Sequence, residues 1–169
     1  MTSNSIDVPS ETDTIVESIV MVGIDGKFAG YVTIADELKE DAHQAIKQIR
    51  EAGISKIIML SGDKDSITQK VAKELGIDWA KGGLLPEDKL AEVEKLMAEN
   101  DNKVAFIGDG INDAPALNAA DASIAPSTAS DVGRRASGFV FLSNSLDAVR
   151  MAITISHQAR SLIYQNFGL

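Results

Sequence analysis

Lys103-Val104-Ala105-Phe106-Ile107-Gly108-Asp109-Gly110-Ile111-Asn112-Asp113-Ala114-Pro115-Ala116-Leu117 is the stretch whose reading decides the fold. The apolar run Lys103–Ile107 predicts a short strand buried on both faces, as strands of a parallel sheet are. Glycines and polar residues follow at once and predict a tight loop, and Asp113–Ala119 predicts a short helix. In α/β sheets ligands bind beyond the carboxyl ends of the strands, so an acidic, glycine-punctuated loop in that place is a candidate site. Asp-Gly and Asn-Asp pairs also make ordinary turns. What points to a site is the whole hexapeptide Gly108–Asp113, set between a buried strand and a helix.

The same pattern stands upstream. Lys56–Leu60 predicts a second buried strand and ends in Ser61-Gly62-Asp63. If the two strands are neighbours, the two loops converge on one rim of the sheet. Around them the apolar spacing alternates between strand and helix periods. Glu40–Glu51 predicts a helix with Ala42, Ala45, Ile46 and Ile49 on one face, closed by Gly53. Ser66–Leu75 predicts another, stopped by Gly76, and Ile77–Lys81 a short strand before the Gly82-Gly83 break. Pro86-Glu87-Asp88 has the early proline and first-turn acids of a helix start, with Lys89–Glu99 as its body. Further on, Ala122–Ala125 and Gly138–Leu142 predict strands, and Val132–Ala136 and Leu146–Leu162 helices. At the other end, Ile15–Ile24 and Phe28–Ile34 predict a hairpin about Asp25-Gly26. Residues 1–14 are polar and are expected to form a disordered tail. Strands alternating with helices imply an α/β fold, a parallel sheet with helices on both faces.

Charge and composition narrow the function. The formal net charge is −9, which argues against a nucleic-acid partner, because neutralising phosphates needs a basic stripe. It also argues against docking on an anionic membrane surface. A nucleotide is still compatible, since backbone N–H groups and a metal ion can carry phosphate charge locally. The chain has no Cys, so disulfides and thiolate metal sites are excluded. No apolar run reaches the roughly 20 residues needed to span a bilayer, and the expected compartment is the cytoplasm.

Asp109 and Asp113 are hard oxygen donors four residues apart. Hard oxygen suits Mg²⁺, which binds through one or two carboxylates together with waters and a phosphate. Gly110 lets the backbone approach such a ligand. Asn112 can donate its amide to a phosphate oxygen, and Ser61 its hydroxyl and N–H. Lys89 reads equally as a solvated helix lysine or as a point charge reaching a phosphate. Lys64 reads as a surface residue. His43 and His157 stand alone on helices, without the convergent ligands a metal site needs.

These residues carry a family resemblance. Gly108–Leu117 resembles the hinge signature of P-type ATPases, Ser61-Gly62-Asp63 their Thr-Gly-Asp motif, and Pro86-Glu87-Asp88-Lys89 their Pro-x-x-Lys motif. The stretch Ala125–Gly133 is similar to the heavy-metal branch, copper pumps in particular. The resemblance implies a Rossmann-like, three-layer haloacid-dehalogenase-like fold. It divides the chain into a hairpin from the end of a nucleotide-binding domain (15–35), a phosphorylation domain (36–160) and the start of a helix entering the membrane (161–169). It implies that Asp109 and Asp113 hold Mg²⁺, that Ser61, Gly62, Asp63 and Asn112 position the phosphoryl group, that Lys89 neutralises it, and that Asp36 and Gly110 lie near the nucleotide. ATP would be the phosphoryl donor. The partners would be the rest of a pump, its nucleotide-binding domain and transmembrane helices.

One departure from the family is plain. The Asp-Lys-Thr-Gly-Thr that carries the phosphorylated aspartate does not occur in these residues. Asp25 follows a strand, but it sits in a turn. In the family the absent strand lies mid-sheet, so its neighbours are expected to carry unpaired backbone groups. The expectation is a pump fragment without its nucleophile. The alternatives are a free-standing phosphatase of the same superfamily and a non-catalytic regulatory module.

Overall fold

The computed structural model describes residues 10, 12, 18–34, 37–99, 103–143 and 145–168. The chain divides into two compact units, Met1–Lys39 and Glu40–Leu169. Most of the expected tail, and Asp36, lie outside the described residues.

The first unit is a hairpin. Strands β1 (Ser18–Ile24) and β2 (Lys27–Ile34) pair antiparallel, with a register shift between Val22 and Gly23. Asp25 and Gly26 turn the chain with φ of 49° and 74°, the doubly left-handed turn that matches the twist of a two-residue hairpin.

The second unit alternates helix and strand: α1 (Ala42–Glu51), β3 (Ile58–Leu60), α2 (Asp65–Leu75), β4 (Trp79–Lys81), α3 (Pro86–Glu99), β5 (Ala105–Ile107), α4 (Ala114–Ala119), β6 (Ala122–Ala125), α5 (Asp131–Ala136), β7 (Phe139–Val140) and α6 (Asp147–Phe167). Every strand pairing in this unit is parallel. The four apolar positions of α1 are all buried, Ala42, Ala45, Ile46 and Ile49. The deepest large side chains are Val93 and Leu117, each 1% exposed. They lie on α3 and α4, which pack against one another. His43 and His157 are exposed.

The sheet is not continuous. Strands β3 and β4 form one sheet, and β5, β6 and β7 form another with β6 in the middle. The ladders show which edges are open. Ser61 donates to Lys81 and Asp78 to Ile57, so residues 57, 59 and 61 face β4. Ala122 donates to Val104 and Gly108 to Ile124, so residues 104, 106 and 108 face β6. Parallel ladders use alternate residues. The backbone groups of Ile58, Leu60, Ala105 and Ile107 therefore point to edges with no strand partner among the described residues. This corrects the expectation of strands buried on both faces. Strand β3 is half-buried throughout, and Ile107 is 42% exposed, because each strand ends its sheet.

Charge pairs tie the smaller sheet to its helices. Asp78 accepts from the N–H of Ile57 at 2.7 Å and from Arg50 of α1 at 2.9 Å. The Ile57 N–H first and the Arg50 guanidinium second hold its carboxyl below the usual carboxylate range. Its ionised form is thus the one that folding favours. That contribution is full above the unfolded value of 3.8 and is lost as pH falls through the folded one. Asp78→Asn should therefore be less stable than the parent at neutral pH. In urea denaturation the difference should shrink below pH 3.8 and vanish once the folded Asp78 is protonated. A difference that stays constant with pH would contradict this account.

Candidate functional site

The loop after β5 is shaped by Asp113. This residue ends a 3-10 turn, Ile111–Asp113, and its side chain folds back over the loop. One carboxylate oxygen accepts the N–H of Gly110 at 3.3 Å, and the other accepts Lys89 Nζ at 2.7 Å. Gly108 makes room for it: a Cβ there would stand 2.7 Å from the Cβ of Asp113. Gly108 itself donates to Ile124 at 3.1 Å and so ties the loop to β6.

Lys89 and Asp113 are 13% and 11% exposed at their side chains. A charge pair this dry is held by its partner, because either ion alone would be buried uncompensated. Lys89 comes from the first turns of α3. Of the two readings the sequence left open for Lys89, the structure excludes a freely solvated lysine.

Asp109 differs from Asp113. Its backbone is fixed, since its carbonyl accepts the N–H of Ser130 at 2.9 Å. Its side chain is exposed and has no hydrogen bond or ion pair among the described residues. Asn112 is exposed beside it. The Asp113 carboxylate is already engaged by Lys89 and Gly110, whereas that of Asp109 stands ready for a ligand. Among the described residues no group of three or more His, Asp or Glu gathers as a metal cage. A loop with one free carboxylate and a second, anchored one has the donor chemistry that suits Mg²⁺, which keeps waters and needs few protein ligands.

The loop after β3 closes on itself. Ser61 Oγ donates to Asp63 at 2.9 Å and accepts the Asp63 N–H at 3.1 Å. Gly83 donates to the Asp63 carbonyl at 2.5 Å and Leu84 to the Ser61 carbonyl at 3.0 Å. Gly82 is required here, for a Cβ would fall 2.5 Å from Asp65 Cα and 2.6 Å from Thr68 Oγ1. The Ser61–Asp63 loop makes no direct hydrogen bond to the Asp109 loop among the described residues. The two are linked through the start of α3: Leu84 binds Ser61, Lys89 donates its N–H to the Leu85 carbonyl, and the Lys89 side chain reaches Asp113. The Ser61 loop and the Asp113 side chain are thus both bonded to the segment Leu84–Lys89, which leads into α3. Lys64 is exposed, as expected.

Sequence reasoning missed Ser130 and Asp65. Ser130 caps α5, its Oγ accepting the Gly133 N–H at 3.1 Å. The signal was there: Ser before Asp131 is an N-cap followed by a first-turn acid, and it lies two residues before the expected helix start at Val132. Asp65 accepts the Gly82 N–H at 2.8 Å and Gln69 at 3.2 Å, and the Gly82 N–H first among these lowers its pKa.

A double-mutant cycle of Lys89→Met and Asp113→Asn, followed by denaturant unfolding, should return a coupling of about 1–2 kcal/mol. The exposed Lys47–Glu51 pair at 3.9 Å should return about 0.3–0.5 kcal/mol. Equal couplings would mean that the Lys89–Asp113 contact is a surface pair in energetic terms.

Known proteins resemble this chain in sequence and in fold. Residues 6–121 match the family described as haloacid dehalogenase-like hydrolase. The chain is 37% identical over 164 residues to a zinc-transporting ATPase of Synechocystis sp., covering 96% of this chain and 23% of that protein. It is 40% identical over 149 residues to a probable copper-exporting P-type ATPase V of Mycobacterium tuberculosis, covering 88% and 19%. Among solved structures, a zinc-transporting PIB-type ATPase in its E2.Pi state superposes with a TM-score of 0.80 at 33% identity, covering 93% of this chain and 25% of that one. The chain therefore spans about a quarter or less of the length of these relatives.

Proposed function

The chain belongs to the haloacid dehalogenase-like hydrolase family, and from that membership we propose that it is the magnesium- and phosphate-binding part of a heavy-metal P-type ATPase. In this reading Asp109 is the Mg²⁺ ligand, with Asp113 beside it. Lys89 brings positive charge to the phosphoryl group, and Ser61, Gly62, Asp63 and Asn112 position it. Phosphoryl transfer asks little of the protein beyond positioning and charge neutralisation, and these residues offer both. ATP is the donor in the intact pump, which supplies the nucleophilic aspartate, and this part of the pump faces the cytoplasm. The cargo is a heavy-metal cation. Ala125–Gly133 favours copper over zinc or cadmium, and relatives named for zinc and for copper both match.

One observation carries the reading: the Gly108–Asp113 loop combines a pinned Asp109 backbone, an Asp109 carboxylate with no partner among the described residues, and the buried Lys89–Asp113 pair. The open edges of β3 and β5 support it too. In the proposed pump the strand that carries the nucleophile would pair with such open edges. The rival, a free-standing phosphatase, would use an Asp-x-Asp after its first strand. The one Asp-x-Asp in the sequence is Asp63-Lys64-Asp65. There Asp63 is bonded to Ser61, and Asp65 is folded back onto Gly82 and Gln69. Among the described residues no helix is long and apolar enough to cross a membrane.

Titration of the purified chain with Mg²⁺, read by calorimetry, tests the site. Asp109→Ala should weaken binding roughly tenfold or more, as loss of the main charged ligand implies, and Lys64→Ala should leave it unchanged. Equal effects would count against Asp109. Incubation of this chain with Mg²⁺ and labelled ATP should give no acid-stable phosphoprotein, and detection of one would show that a nucleophile is present after all.

A further inference from the structure

We infer that Ser130 is a positioning residue for the Asp109 carboxylate, a role that rests on Asp109 being the Mg²⁺ ligand. Asp109 is flanked by two anchors. Gly108 is stitched to β6 through the Ile124 carbonyl, and Gly110 is held by the Asp113 carboxylate. Between them, the one bond to Asp109 itself among the described residues is the Ser130 N–H on its carbonyl, at 2.9 Å. The direction of that N–H is set by the side chain of the same residue. Ser130 is extended, with φ −60° and ψ 159°, and its Oγ accepts the Gly133 N–H at 3.1 Å. Its carbonyl accepts the first helical bond of α5, from Arg134 at 2.9 Å. Ser130 is thus fixed at three atoms, N, O and Oγ, and only one of these belongs to its side chain.

Gly133 completes the arrangement. It is buried, and a Cβ on it would stand 3.3 Å from the Asp109 carbonyl oxygen and 3.4 Å from Ser130 Oγ. A side chain there would press on both the carbonyl and the cap. The start of α5 therefore forms a rigid brace against the backbone of Asp109. The free side chain owes its fixed origin to that brace, not to contacts of its own. A metal with few protein ligands is sensitive to the placement of each, because the remaining coordination is water and phosphate.

The test is an NMR titration of the full 169-residue chain with MgCl₂ alone, read at the amides of the Gly108–Asp113 loop. Ser130→Ala removes the cap and should weaken Mg²⁺ binding about threefold to fivefold, the size expected if most of a typical N-cap contribution reaches the ligand. Ser130→Thr keeps an N-cap oxygen and should restore the parent affinity. Asp78→Asn, which disturbs the other sheet, should leave Mg²⁺ affinity unchanged and so separates positioning from loss of stability. Parent-like affinity in Ser130→Ala, with Asp109→Ala still defective, would overturn the inference and leave Asp109 as the ligand. Parent-like affinity in Asp109→Ala would remove both the site and the brace's purpose. If Asp78→Asn lowers affinity as much as Ser130→Ala, the effect is one of stability, and the inference fails.

Discussion

The ion pair between Lys89 and Asp113 is the polar joint of a structure whose sheet comes in two pieces. No ladder connects β3–β4 with β5–β6–β7 among the described residues. What holds the pieces together is helix packing, α3 on α4 and α1 on both α2 and α6. Helix α3 leaves the first piece at Leu84 and Leu85, bonds back to Ser61, and buries Val93 near its middle. At its start it donates Lys89 to the second piece. Without the pair, two charges would be left in a site only about a tenth exposed, a costly outcome that apolar packing along α3 would not offset locally. One contact therefore supports the fold and brings a cation to the Gly108–Asp113 loop.

This double duty has a chemical consequence. In the present structure the Lys89 charge is neutralised by Asp113. An arriving phosphoryl group brings its own negative charge and would compete with Asp113 for the ammonium. A divalent cation held by Asp109, as proposed, would add positive charge to the same loop and offset that competition. Magnesium and phosphate would then bind together more readily than either alone. That mutual dependence follows from the charge count at the rim rather than from any conformational switch.

Much of this was legible from the sequence, for physical reasons that differ by element. Helix α1 was readable because its four buried positions follow the helical period without interruption. The Asp25-Gly26 turn was readable because two left-handed residues are needed there and this pair tolerates them. Strand β6 was placed to the residue at Ala122–Ala125, since an apolar run between two helices has little room to slide. Strand β5 was found, but its burial was misjudged. An apolar run reports what a strand prefers to touch, whereas Ile107 is exposed because its open edge has no neighbouring strand. The open edges of the sheet were expected from the family's absent nucleophile strand and not from any local pattern, because they concern pairing between distant segments. The Lys89–Asp113 pair spans 24 positions and was foreseen only as two separate residues of one site. Helix α6 runs to Phe167, a turn beyond the expected end, because Gly168 rather than an interior residue stops it with φ of 64°.

The two metals in the proposed activity call for opposite ligand chemistry. Copper, zinc and cadmium are soft or borderline ions that favour thiolate and imidazole. This chain has no Cys, and its two histidines are exposed on separate helices. Its free donor at the rim is a carboxylate, suited to a hard ion. A segment that handles the cargo would be expected to show the soft set, and one that handles phosphate the hard set. In the proposed reading this donor inventory would put the chain on the energy-supplying side of such a pump, and what distinguishes a copper pump from a zinc pump would lie in the three-quarters of the relatives' length that it does not span.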